Sequence, residues 1–359
     1  MPEQVPIAFV RDGRGWLGRG DAVRVDFAAD AYRDAAAWWS RTVAERRAAG
    51  HEGPLVAFGS FAFDADSPAG SVLLVPERAE RVDGAMPRLG SRPRPSAAVR
   101  DGAMSRVAYE LAVERVRGAI AAGLLQKAVL ARDVVVDPAG PVDLGTLVDV
   151  LHAAHPDAAV YCVDGLVGAS PETLVTVHEG VATARVLAGT AGPGEGDALA
   201  GSDKDRLEHE LAVRSVTEAL GPHVTRLAVT EPYVLQLPHL THLATDVRAE
   251  VADGSDVLAL IAALHPTAAV AGTPADAALE AIRELELVDR GRYAGPVGWV
   301  DADGDGEWAI ALRGAQARPD GSFHAFAGAG IMADSIPELE LAETDLKLRP
   351  ILEALGALR

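Results

Sequence analysis

Only one cysteine, Cys162, occurs in the 359 residues. That excludes an intrachain disulfide and any zinc cluster built on cysteine, and it fits a reducing compartment. Positive charge is scarce as well: 33 lysines and arginines stand against 52 acids, a net charge of −19. Without a basic run, such a chain is not expected to bind nucleic acid or an anionic membrane. If its ligand is an anion, the site must build its own positive field. No segment is long and apolar enough to span a bilayer, and the opening Met-Pro-Glu-Gln-Val lacks the basic region of a signal peptide. A cytoplasmic location is expected on these grounds.

Nucleotide and metal signatures are missing too. Leu187 to Gly194 reads as a glycine loop but lacks the Gly-Lys-Ser/Thr ending of a phosphate-binding loop. Gly328 to Ala333 matches a relaxed dinucleotide fingerprint, yet no βαβ unit follows it, so no nucleotide site is expected. His209-Glu210 begins like a zinc-protease motif, but Val213 stands where the second histidine belongs. Asp301 to Gly306 begins like a calcium loop, and Leu312 takes the place of its glutamate, which leaves a hairpin tip.

What is present gathers near the C-terminus. His324 to Ala333 reads as a short strand and a glycine turn. A helix then follows, with Ser335 and Glu338 in capping-box register and Pro337 in its first turn. On it Glu340, Glu343 and Lys347 lie three and four residues apart, on one face. They are either a solvated surface ion pair or, beside the bare amides of the glycine turn, part of a site for a carboxylate-bearing ligand.

The preceding chain mixes helices and strands. A helix is expected over 28–49, strands near 55–63 and 72–76, and a proline- and arginine-rich connector from Pro87 to Pro95. Ser105 caps a helix on which Tyr109, Val113, Val116 and Ile120 recur at helical spacing, and Gly123 ends it. In the next strand Lys127 shares a face with Leu125, Val129 and Ala131. Such a lysine either snorkels at an edge or occupies a pocket whose desolvation favours the neutral amine, a usable general base. Gly168 to Glu172 is a rigid turn that brings a carboxylate to the head of the strand Thr173 to His178.

Helices are also expected over 143–154 and from Asp203, the latter with an apolar stripe including Leu207, Leu211 and Val216. Glu208 lies beside that stripe and is either a surface charge or, facing inward with Glu343, an oxygen ligand for Mg²⁺, which accepts one or two protein carboxylates. A strand over 239–246 holds His242, and helices follow over 257–264 and 275–285. Segments 293–300 and 308–317 form a hairpin that puts Arg313 mid-strand among apolar neighbours, where a permanent charge needs an anion to meet it.

Together, Lys127, Ser170-Pro171-Glu172, Ala188-Gly189-Thr190, Lys204 to His209, His265-Pro266-Thr267, Arg313, Ala327 to Gly330, and Glu340, Glu343 and Lys347 resemble the chorismate-utilising enzymes. The resemblance runs from about residue 105 onward. It implies an α+β fold of two packed antiparallel β-sheets with helices outside. Residues 1–100 would be the N-terminal portion of that same unit, and 101–359 the chorismate-binding catalytic region. It implies Lys127 as general base and Glu172 as general acid. Gly189, Thr190, His242, Ala269, Arg313, Gly328 and Lys347 would bind the substrate, and Glu208 and Glu343 would ligate Mg²⁺ with Glu340 supporting through water. The implied reaction is attack of water at ring C2 of chorismate with departure of the C4 hydroxyl, supplying isochorismate to menaquinone or siderophore synthesis. A monomer without a glutamine amidotransferase subunit is implied.

Within the family, members that make aminodeoxychorismate carry lysine where this chain has Ala188. Ammonia-using members generally lack a lysine at the Lys127 position, and members that eliminate pyruvate usually have threonine in place of Ala269. The resemblance therefore implies a reaction that stops at isochorismate, with salicylate formation and a catalytically silent chorismate binder as the alternatives.

Overall fold

The computed structural model describes residues 6–358 apart from 29, 193, 238, 239 and 253. The opening five residues, Pro193 of the expected glycine loop and the expected strand start at His239 lie outside the described residues.

Hydrophobic alternation and turn chemistry yield a sheet in which every pairing is antiparallel. Its hydrogen bonds run without interruption through one layer, from Thr241–Val251 to Val181–Ala191, Thr173–His178, Gly306–Ile310, Pro296–Asp301, Val56–Ser60 and Ser71–Asp83. The ribbon then folds over and continues through Arg14–Phe27, Ile7–Arg11, Ala159–Val163, Leu166–Ser170, Gly314–Ala317, Phe323–Ile331 and Lys127–Pro138. The expected pair of packed sheets is thus two facing halves of one ribbon. Their contact is apolar: Phe58, Leu74 and Val297 of the first half meet Phe9, Tyr161 and Leu166 of the second. Full burial of such side chains stabilises by about 1.5–3 kcal/mol each relative to exposure. Cys162 lies wholly buried in this second half, opposite Ala8.

Helices cover the outer faces. They are α1 (Ala31–Ala48), α2 (Arg106–Ala121), α3 (Leu144–Ala154), α4 (Gly196–Gly201), α5 (Asp203–Leu220), α6 (Val257–Leu264), α7 (Ala275–Leu285) and α8 (Pro337–Ala354). Helices α1, α5 and α6 pack on the first half, and α3 and α8 on the second. The sequence signals explain their limits. Ser105 Oγ accepts from Ala108 N at 3.2 Å to cap α2, its Tyr109, Val113 and Val116 are buried, and Gly123 follows it at φ 74°. Among the described residues no helix is long and apolar enough to cross a membrane.

Several local expectations are overturned by tertiary pairing. Gly328 and Gly330 form no turn; they lie within the strand Phe323–Ile331, opposite Ala131 and Val129. Ser335 does not cap α8, because its Oγ accepts from Met332 N at 3.0 Å and Ile336 takes the N-cap position. The expected loop at 187–194 is strand as far as Ala191, with a bulge at Gly189, whose φ is 78°. The hairpin's second strand stops at Ile310, and Arg313 sits at φ 52° in the break before Gly314–Ala317, where the chain crosses from one half of the sheet to the other. On α5, Leu207 is 50% exposed while Glu208 and His209 face inward at 8% and 2%. The strand holding His242 runs over Thr241–Val251, longer and later than expected.

Candidate active site

Both halves of the ribbon contribute to one cavity, whose lining includes Glu172, Glu208, Arg313 and Lys347. Lys127 opens the strand Lys127–Pro138 and is 0% exposed, so it does not snorkel. Its Nζ is 3.1 Å from Glu208 Oε1 on α5, close enough for an ion pair but without a hydrogen-bond partner. Room for that approach comes from Gly330: a Cβ there would stand 2.0 Å from Glu208 Oε1 and 3.1 Å from Lys127 Cε. The glycine expected to shape a turn instead makes space for two charged side chains.

Glu172 stands on the turn after Leu166–Ser170, pinned by Ile310 N donating to its carbonyl at 3.2 Å and by its own N donating to Ser170 Oγ at 3.3 Å. Across the cavity, His242 Nδ1 lies 3.2 Å from the Gly189 carbonyl and 3.1 Å from Thr190 Oγ1, and Arg313 Nη2 is 3.4 Å from its Nε2. Placing the histidine proton on Nδ1 satisfies this set: the ring donates to Gly189 and accepts from Arg313. Lys347 Nζ donates to the Gly328 carbonyl at 3.0 Å and pairs with Glu343 at 2.5 Å.

Burial governs the charges. It pushes the Glu172 carboxyl up to about 7, against the opposing fields of Arg313, Lys127 and Lys347. Burial, then Arg313 and Lys347, hold His242 well below its ordinary range, which keeps the ring neutral. Arg313 is also lowered by burial, and no carboxylate pairs with it among the described residues. The cavity thus places a carboxylic acid that stays protonated near neutrality beside cations suited to carboxylate ligands.

Among the described residues, no three His, Cys, Asp or Glu side chains are gathered as a preformed metal site. Each carboxylate expected to serve Mg²⁺ is instead held by an ammonium: Glu208 by Lys127, Glu343 by Lys347, and Glu340 by Lys204 at 2.6 Å. The three nevertheless share one locality. Burial and then Glu343 raise Glu340, while Glu340, Glu208 and Glu343 together lift Lys204 despite its burial. A sparse set of hard oxygens fits Mg²⁺, which completes its shell with water and ligand oxygens.

Of the residues expected from the sequence, Glu172, Gly189, Thr190, Glu208 and His242 line the cavity, as do Ala269, Arg313, Gly328 and Lys347. Lys127 and Glu343 lie outside that lining but pair with Glu208 and Lys347, which belong to it; Glu340 lies outside it too and pairs with Lys204. Sequence reasoning missed Arg290, which also lines the cavity, and its partner Glu286. Their i,i+4 spacing was the available signal, and it resembles an ordinary surface pair.

Residues 75–356 match the family model described as chorismate binding enzyme, and the chain belongs to that family. Its relatives include the salicylate biosynthesis isochorismate synthase of Pseudomonas aeruginosa, 40% identical over 71% of this chain and 56% of that protein's length. Isochorismate synthase EntC of Escherichia coli is 34% identical over 87% of this chain and 84% of its own. The solved structure of MenF, the menaquinone-specific isochorismate synthase of Escherichia coli, superposes with a TM-score of 0.80 at 25% identity, covering 98% of this chain and 89% of that one.

Proposed function

We propose that this chain is an isochorismate synthase, an isomerase that converts chorismate to isochorismate. Water adds at ring C2, the C4 hydroxyl departs as water, and the enolpyruvyl group stays on the ring. The observation that carries the reading is a cavity lined by a Glu172 carboxyl held protonated to about pH 7, with the buried Lys127 behind its Glu208 wall, 3.1 Å from that carboxylate. Lys127 is the base that takes a proton from the attacking water, and Glu172 the acid that protonates the leaving hydroxyl. Arg313, Lys347 and the amides of Gly189 and Gly328 receive the substrate's carboxylates, with Thr190 and His242 fixing that wall. Ala269 adds no hydroxyl beside the ring, which favours release of isochorismate over loss of pyruvate.

Glu208 and Glu343 would hold Mg²⁺, with Glu340 behind them. When bound, the ion supplies positive charge to a substrate carboxylate and fixes its position. We also read residues 1–100 as part of the same folding unit, the chain as a cytoplasmic monomer, and its product as feeding menaquinone or siderophore synthesis.

Purified protein incubated with chorismate and Mg²⁺, with a parallel EDTA sample, tests the reading by chromatography. The expected result is a metal-dependent product of chorismate's mass at a different retention time. Salicylate with pyruvate would move the assignment to a salicylate synthase, and no turnover would leave a silent binder.

A further inference from the structure

The strand carrying Lys127 has a gap along one edge. Gly272–Thr273 pairs with it only at Ala128 and Lys127, extended by Val129 N donating to Ala271 O at 2.7 Å, and Ala97–Asp101 takes over only from Val134. Between them, two side chains take the place of the missing neighbour. Arg290 Nη2 donates to the Val129 carbonyl at 2.7 Å, and Glu286 Oε1 accepts from Ala131 N at 2.8 Å.

The same pair reaches the opposite wall. Arg290 Nη1 donates to the Val270 carbonyl at 2.9 Å, its Nε and Nη2 meet the Glu286 carboxylate at 2.9 and 2.5 Å, and its guanidinium lies 4.2 Å from the Phe63 ring centroid. Both residues are buried, at 5% and 8% exposure. Val129, Ala269 and Val270 all line the cavity. One planar guanidinium therefore bridges the strand that bears Lys127 and the segment that bears Ala269.

Resting on the isochorismate synthase reading, we infer that Arg290 and Glu286 are positioning residues for the reaction: they fix the distance between the Lys127 strand and the Ala269–Val270 wall. Glu286 stands outside the cavity lining, and Arg290, though part of it, has its nitrogens engaged by Glu286 and by the Val129 and Val270 carbonyls. A shift of about 1 Å in that distance moves the base relative to the ring and costs up to about 10²-fold in rate without equal loss of binding.

Breaking a buried ion pair at one end leaves an uncompensated charge, whereas replacing both partners with apolar residues of similar size is often tolerated. The test is the Glu286→Leu/Arg290→Met double variant of the full chain, compared with wild type in Tm, kcat and KM for chorismate at saturating Mg²⁺. We expect a folded protein with a lowered Tm, because the Val129 and Val270 carbonyls and the Ala131 amide lose their partners, with kcat lower by about 10- to 100-fold and KM changed far less. A folded double variant with kcat within twofold of wild type overturns the inference. Should the double variant not fold, Arg290→Lys decides: it keeps the charge opposite Glu286 but cannot bridge both carbonyls. The expectation is then roughly tenfold lower kcat with Tm retained, and unchanged kcat overturns it. Wild type serves as the separate control, since its failure to turn over chorismate removes the functional reading itself.

Discussion

Glu172 shows how a single position acquires a role from its surroundings. Burial lifts its carboxyl from the ordinary 4.5 to about 7, so the proton it would give a leaving hydroxyl is largely present below that pH and largely lost above it. With Glu172 as the acid, kcat should fall as pH rises through about 7. Glu172→Gln should lower kcat by about 10²- to 10⁴-fold and abolish that limb of the profile. Stability carries the same sign. Between 4.5 and about 7 the folded chain keeps a proton that the unfolded chain has lost, so the contribution of the neutral acid is complete below that window and declines as pH rises through it. Lys127 and Arg313 stood out in the sequence as charges set in an apolar pattern, whereas Glu172 read as a turn residue and was singled out by the family resemblance. Arg290 was not, since Asp289 to Arg292 reads as a polar connection and its burial is decided by strands far away in the chain.

At the scale of elements, the helices were the most legible parts, because caps and helical spacing are local. Helices α6 and α7 begin and end where the sequence places them. The glycine-rich strands were not. Gly328, Gly330 and Gly189 carry the signal of a turn, yet each lies where a strand must come close to another group, and only the paired structure reveals which. Gly330→Ala tests that meaning. The clash would fall on the ends of flexible side chains, Glu208 and Lys127. The variant should therefore fold with Tm near wild type while Glu208 swings away, kcat drops by at least about tenfold, and half-maximal activity requires more Mg²⁺. Wild-type kinetics in this variant would remove Gly330 from the design of the site.

For the whole molecule, the sequence suggested a connector at Pro87 to Pro95, and the fold pairs strands before it with strands after it. Ile7–Arg11 pairs with Ala159–Val163, and Val56–Ser60 with Pro296–Asp301. The early strands resemble the family loosely because their task is pairing and packing, which many apolar sequences can perform. A fragment beginning at residue 101 should accordingly lose the apolar contact between the two halves and show no cooperative thermal transition by circular dichroism. A sharp transition in that fragment would mean that the catalytic region folds alone.

Cys162 faces Ala8 across one of those pairings, is fully buried, and has its thiol pushed up to about 12 by burial. A solitary thiol, packed with side chains of α3 and α8 and paired in the sheet with the first strand, is a clock for the molecule's openings. A thiol reagent can mark it only while that packing has parted or the whole ribbon has come apart, so the labelling rate reads the frequency of such events. If the early strands close over a preformed core, labelling should outpace global unfolding; if the ribbon opens as one body, the two rates should coincide at every temperature.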